Sequence, residues 1–258
     1  MGDPAVVPRD RFSWLERTGD DFPYYNGAPV AISEHQWFFV MVMVVVGFLL
    51  LVLPVPFLGG LVGSYARPIL YFAIPLLGLA LVAPKHWTAI FRKLRGRDVG
   101  WMIAFALLNT GVSMVVGFLV MNAFGATGNA SVSSLADMTA LERVVFYIKT
   151  IPQLFGEEVM TILPFLGLLA LLASDTRLSR RSMIVWAWVV SAVLFGLAHL
   201  PTYDWNLIQC LVVIGTGRLI LLLPYIMTKN IWVSTGAHIV NDWLFFAFTV
   251  LVTNLSRA

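Results

Sequence analysis

The sequence predicts an all-α fold, a polytopic bundle of about seven membrane-spanning helices. Three observations carry that prediction. The chain has 258 residues, 59% of them hydrophobic and only 12% charged, about half the charged share of a soluble domain. Long uncharged runs recur at lengths close to the roughly 20 residues needed to cross a hydrocarbon core. The Lys and Arg residues between those runs segregate to alternate loops.

Residues 1–35 read as a polar, proline-containing tail lying at the surface, cytoplasmic or interfacial. Residues 36–258 read as one transmembrane domain. The first apolar run begins near Trp37, behind a segment too long for the n-region of a signal peptide. The spans fall at about 37–58, 68–84, 100–124, 145–173, 183–200, 205–228 and 231–252. The fourth carries Pro152 and Pro164, so a kink or an interfacial first half is expected there, with an eighth element if it breaks. Loop 125–142 is the longest connection on its side, and its Asn129-Ala130-Ser131 triplet matches a glycosylation acceptor of the secretory pathway.

Loop charge sets an expected orientation. Arg9, Arg11, Arg17, Lys85, Arg92, Lys93, Arg95, Arg97, Arg177, Arg180, Arg181 and Lys229 fall on one side. Arg67, Arg143 and Arg257 fall on the other. By the positive-inside rule the N-terminus and the basic loops are cytoplasmic. The run from Lys85 to Arg97 would meet anionic lipid head groups. These loops account for the net charge of +3 without a nucleic-acid partner. The lone Cys210 excludes an intrachain disulfide.

Within the spans a short list of ionisable or strongly polar residues remains: Lys149, Glu157, Glu158, His199, Arg218, His238, Asn241 and Asp242, with Asn109, Gln153 and Gln209 as milder cases. Such groups are costly in lipid and mark functional sites by default. Glu157 and Glu158 are adjacent, so they point about 100° apart on a helix. One can face the bundle centre while the other meets a neighbouring helix. A structural pair with Arg218 or Lys149 is the plain alternative. Phe195 precedes His199 by one turn. His238, Asn241 and Asp242 share a face at i, i+3 and i+4. That face suits a bound water, an ion, or hydrogen bonds to an oxyanion, or else an ordinary helix–helix polar cluster.

The order of these pieces, EE, then FxxxH, then His followed four residues later by Asn or Asp, resembles the CPBP family of intramembrane proteases. That family includes the CAAX prenyl endopeptidases of the Ras-converting type and bacterial relatives linked to bacteriocin processing and immunity. Glu157 and Glu158 match the start of its EExxxR motif, but Ile162 stands at the Arg position. Phe195 and His199 match the second motif. His238 and Asp242, with Asn241 beside it, match the third. The matching region spans about 155–243.

The resemblance implies a glutamic-type endopeptidase acting on a peptide or lipidated protein substrate at the membrane. In it Glu157 would be the general base on a water held with His199, and Glu158 would support it. His238 with Asn241 or Asp242 would stabilise the oxyanion. Arg218 is the candidate substitute for the missing motif Arg. No cofactor is implied, although two His and a Glu could hold Zn²⁺ in a metalloprotease alternative. Two other readings compete: a non-catalytic scaffold or immunity-type member, favoured by Ile162, and a proton-coupled transporter, disfavoured by the concentration of polar residues in one half of the chain.

Overall fold

The computed structural model describes residues 10–129, 132, 134–174 and 177–257. Among them are seven helices long and apolar enough to span a membrane, and no strand. The chain is an integral, multi-pass membrane protein.

Helix α1 covers Glu34–Val52 and starts at a capping box between Ser33 and Gln36. It stops six residues short of the expected end because Leu53, which precedes Pro54, is extended. Helix α2 runs Gly60–Val82, with Pro68 and Pro75 inside it, so Pro68 does not mark its start. The Arg67 Nε turns back to donate to the Leu58 carbonyl at 3.0 Å. Helix α3 covers Gly96–Phe124. Helix α4, Ala140–Leu172, opens on a Thr139–Glu142 capping box and stays one continuous helix of 33 residues through both prolines, so the eighth element does not form. Helix α5 is Arg180–Ala198. A π-helical turn, Gln209–Ile214, leads into α6, Gly215–Thr228. Helix α7 is Ile231–Leu255, capped by Asn230.

Helix α4 is the centre of the bundle. Its most apolar window is 61% buried, against 17–28% for α1, α2, α3 and α7. A helix surrounded by protein can carry acids that lipid would reject. The peripheral helices turn large apolar side chains outward, such as Phe38, Phe118 and Trp186.

The N-terminal stretch differs from the expected surface tail. Phe22 and Tyr24 are each only 2% exposed. Phe22 packs on Phe165 of α4 and Tyr225 of α6, and Tyr24 on Trp37 of α1. Polar composition masked these few aromatic anchors. Glu16 ties the stretch to the ends of α5 and α6: Arg180 donates to both its oxygens, at 2.7 and 2.6 Å, and Lys229 Nζ donates at 2.7 Å. Burial pushes the Glu16 carboxyl up, but these partners outweigh it and bring its pKa down to about 2. Lys229 goes down to about 8 because its own burial outweighs the attraction of Glu16. Arg17 pairs with Asp98, and Arg92 with Asp20. Residues 10–33 thus close the end of the bundle that bears the basic loops. Arg9, Ala130 and Ser131 lie outside the described residues.

Candidate active site

Gly156 and Gly196 bring the site elements together. A Cβ on Gly156 would collide with the Tyr71 ring of α2, so only glycine lets α2 lie against α4 beside Glu157. A Cβ on Gly196 would come within 2.6 Å of the Cys210 carbonyl in the π-helical turn. Such turns often occur at functional sites, and this one lets α6 start close against the end of α5.

Both glutamates sit midway along α4, 8% and 0% exposed, and their side chains diverge as the 100° rotation requires. Glu158 faces α6 and α7. Its Oε1 lies 2.6 Å from Arg218 Nη1 and 2.9 Å from His238 Nδ1. The Arg218 contact is an ion pair rather than a well-directed hydrogen bond, since Nη1 meets no hydrogen-bond geometry. Arg218 is thus the cation that stands beside Glu158. Ile162 itself is fully buried in the apolar core.

Glu157 faces inward. Its Oε2 lies 4.0 Å from His199 Nε2 and 3.7 Å from His238 Nε2. Both separations are too long for direct hydrogen bonds and suit a bridging water. Its Oε1 accepts from Gln153 Nε2 at 3.3 Å. The histidines, far apart in sequence, therefore converge on one carboxylate oxygen. They do so because α5 stops at Ala198, which leaves His199 as its C-cap residue.

Each imidazole is oriented from behind. His199 Nδ1 lies 2.8 Å from the Phe195 carbonyl, an acceptor, so Nδ1 carries the proton and Nε2 faces the cavity. His238 Nδ1–H donates to Glu158. Phe195 is the wedge between these groups. Its ring centroid lies 4.5 Å from that of His199 and 6.3 Å from that of His238, and the Arg218 guanidinium stands 4.8 Å over its face. The FxxxH spacing is therefore a packing requirement. Tyr203 stacks on the other side of His199, and burial pushes its phenol up to about 12.

Asn241 and Asp242 take different positions. Asn241 accepts from Asn109 Nδ2 and Thr110 Oγ1 of α3, at 3.0 and 3.1 Å, and donates to Asp242 Oδ1 at 2.9 Å. Asp242 Oδ1 lies 3.6 Å from His238 Nε2. The amide is occupied in holding the carboxyl. Lys149 lies elsewhere: it donates to Ser64 at 3.1 Å and stands over the Tyr65 ring. Gln209 clamps the backbone of Thr127 through both its amide atoms.

Glu157, His199, His238, Asn241, Asp242 and Arg218 all line one cavity of about 1140 Å³. Glu158 stands behind it. Sequence reasoning missed Tyr71, Thr110 and Tyr203. Nothing in their spacing distinguishes them from aromatic belt or ordinary helix residues. Among the described residues no set of three or more His, Cys, Asp or Glu side chains is arranged to hold a metal ion.

The fold and site define a class of protein, a polytopic helical membrane bundle with paired glutamates and two histidines drawn from three spans beside one cavity. Residues 139–244, which hold all three motifs, match the family model described as Rce1-like, type II CAAX prenyl endopeptidase Rce1-like. The match covers under half of the chain and supports, at the level of family, likeness to a CAAX-type intramembrane protease. No curated protein and no solved structure matches the chain.

Proposed function

We propose that the protein is an endopeptidase that hydrolyses a peptide bond of a membrane-anchored substrate with a water activated by Glu157. One observation carries the reading: Glu157 Oε2 and the Nε2 atoms of His199 and His238 face one another across a gap of 3.7–4.0 Å inside a cavity. A water there can give one hydrogen to Glu157 and the other to the unprotonated His199 Nε2. Both its hydrogens are then held, and a lone pair is left for the scissile carbonyl. Glu157 takes the proton as the water attacks and hands it to the leaving amine as the tetrahedral intermediate collapses and the C–N bond breaks. His238, carrying protons on both nitrogens, donates from Nε2 to the developing oxyanion. Glu158 orients His238, and Arg218 balances the charge of Glu158. Phe195 spaces the two imidazoles. Asp242 stands at the motif position beside His238, and Asn241 positions it. The likeness to type II CAAX prenyl endopeptidases points to a peptide or prenylated protein as substrate, with lipid around it.

The domain unit for this activity is residues 36–258, closed at one end by the N-terminal stretch. The loss of the motif Arg favoured a non-catalytic member. Arg218, 2.6 Å from Glu158, supports the catalytic reading instead.

The test is cleavage of a farnesylated peptide ending in Cys-Val-Ile-Met by protein purified in detergent. The parent is expected to release the C-terminal tripeptide, and Glu157→Gln and His199→Ala to lose it without unfolding. Retained cleavage in Glu157→Gln would sink the proposed base. Loss of cleavage with a chelator, restored by added Zn²⁺, would move the reading to the metalloprotease.

A further inference from the structure

The cavity does not sit symmetrically in the bundle. Its wall comes from the C-terminal end of α1, the N-terminal half of α2, and the N-terminal half of α4 from Leu141 to Met160. The end of α5, the start of α6, the stretch of α7 from His238 to Thr249, and Asn109 and Ser113 of α3 complete it, together with Met138 and residues 128, 129 and 132 of the α3–α4 connection. These parts run from the middle of the bundle to one end of the molecule. Arg257, just after α7, pairs with Asp137 of that same connection at 2.7 Å, which places the C-terminus at this end too. Leu141, Glu142 and Val145 at the rim are exposed.

The opposite end contributes no residue to the cavity. It is closed by residues 10–33, whose Phe22 and Tyr24 plug the space between α1, α4 and α6 and whose Glu16 binds Arg180 and Lys229. That closed end also carries the basic loops, with eleven Lys and Arg among the described residues from Arg11 to Lys229. At the cavity end the connections and helix ends carry only Arg67, Arg143 and Arg257. The bias that orients a chain in the membrane counts basic residues near the span ends.

We infer that the substrate enters from the face away from the cytoplasm: the closed, basic end is cytoplasmic and the cavity opens outside. The substrate class is then a peptide presented on the outer leaflet, anchored there by a lipid or an apolar segment, and not a lipidated protein of the cytoplasm. The chemistry of the wall agrees. Val52, Val145, Phe146, Phe245 and Phe246 offer an apolar flank for an anchor beside the polar floor at Glu157. This inference rests on the protease reading for what happens to the substrate, but not for the side of entry.

The test separates the two. Ser256→Cys and Lys85→Cys place exposed thiols at the cavity end and at the basic end, and the native Cys210 is buried and serves as the unlabelled background. Intact cells are treated with a membrane-impermeant maleimide. Labelling at position 256 and protection at 85 until lysis is the expected result. The reverse pattern overturns the inference. Right-side-out and inverted vesicles are then given a fluorogenic peptide tethered by one acyl chain. Cleavage is expected in right-side-out vesicles and not in inverted ones, and to be lost with Glu157→Gln. Cleavage confined to inverted vesicles overturns the inference as well. With position 256 labelled from outside, cleavage in neither vesicle nor detergent leaves the entry side supported and sinks the protease reading.

Discussion

Removing Arg218 tests whether a cation from another helix has replaced the one missing at position 162. Arg218 is 1% exposed and lies 2.6 Å from a carboxylate that is fully buried. At an effective dielectric of about 20, two unit charges at that separation attract by about 6 kcal/mol. Measured losses on breaking a buried pair run to about 3–5 kcal/mol, because the surviving charge is left uncompensated. Arg218→Met is therefore expected to lower stability by about 3 kcal/mol or more, read as a fall in the thermal midpoint in detergent. Cleavage should fall by about 100-fold or more, since Glu158 would no longer hold His238 in a fixed orientation and general acid–base groups contribute about that much. Two second-site changes sharpen the test. Glu158→Gln in the Arg218→Met background removes the orphaned charge and should recover stability but not activity. Ile162→Arg in that background restores a cation one turn from Glu158 on its own face and should recover part of both. If Arg218→Met is as stable and active as the parent, Glu158 needs no counter-charge. If Ile162→Arg gives no recovery, Arg218 is not the stand-in for the motif residue.

Other outcomes follow from the same geometry. Glu157→Gln should cut the cleavage rate by about 10²–10⁴-fold with little change in thermal midpoint, since its Oε2 faces the cavity and the nearest imidazole nitrogens stand 3.7 and 4.0 Å away, beyond direct hydrogen bonding; an unfolded variant would point to a structural role instead. Phe195→Ala should cost about 3–5 kcal/mol and disable both histidines, while Phe195→Leu retains more of each property, as thermal melts and cleavage assays will tell. Gly156→Ala should displace Tyr71 and α2, and pairing it with Tyr71→Ala should restore stability if that collision is the cause. Acid should weaken the closed end. The Glu16 carboxyl stands at about 2 in the folded protein against 4.5 ordinarily, so the unfolded chain binds more protons between those values and stability falls as pH drops through that window. Melts from pH 6 to pH 2 should show this loss, and Glu16→Gln should flatten it.

Much of this molecule is legible from one-dimensional pattern. Hydrophobic runs and alternating basic loops locate seven spans because lipid demands continuous apolar helices whatever the fold. Two limits were displaced in opposite senses: the expected first span ran through Pro54, before which α1 stops, and the expected second span started at Pro68, a proline that the bundle tolerates inside α2. The site residues stand out for the same reason as the spans: Glu157, Glu158, His199 and His238 are conspicuous where charge is expensive. What each of them faces was not legible. That Arg218 meets Glu158 rather than lipid, that Asn241 holds Asp242, and that Phe195 separates two imidazoles all depend on contacts between residues distant in sequence.

The sequence by itself determined the membrane class, the number of spans and the identity of the polar residues, because those follow from local hydropathy and charge. Only the tertiary structure decided that two glutamates one residue apart do different things, one balanced by an arginine and the other open to a cavity. Helical rotation sends their side chains toward different neighbours, and which neighbours stand there is a property of the packed bundle. The same packing decided that the N-terminal stretch closes one end, so that the cavity is lined only from the other.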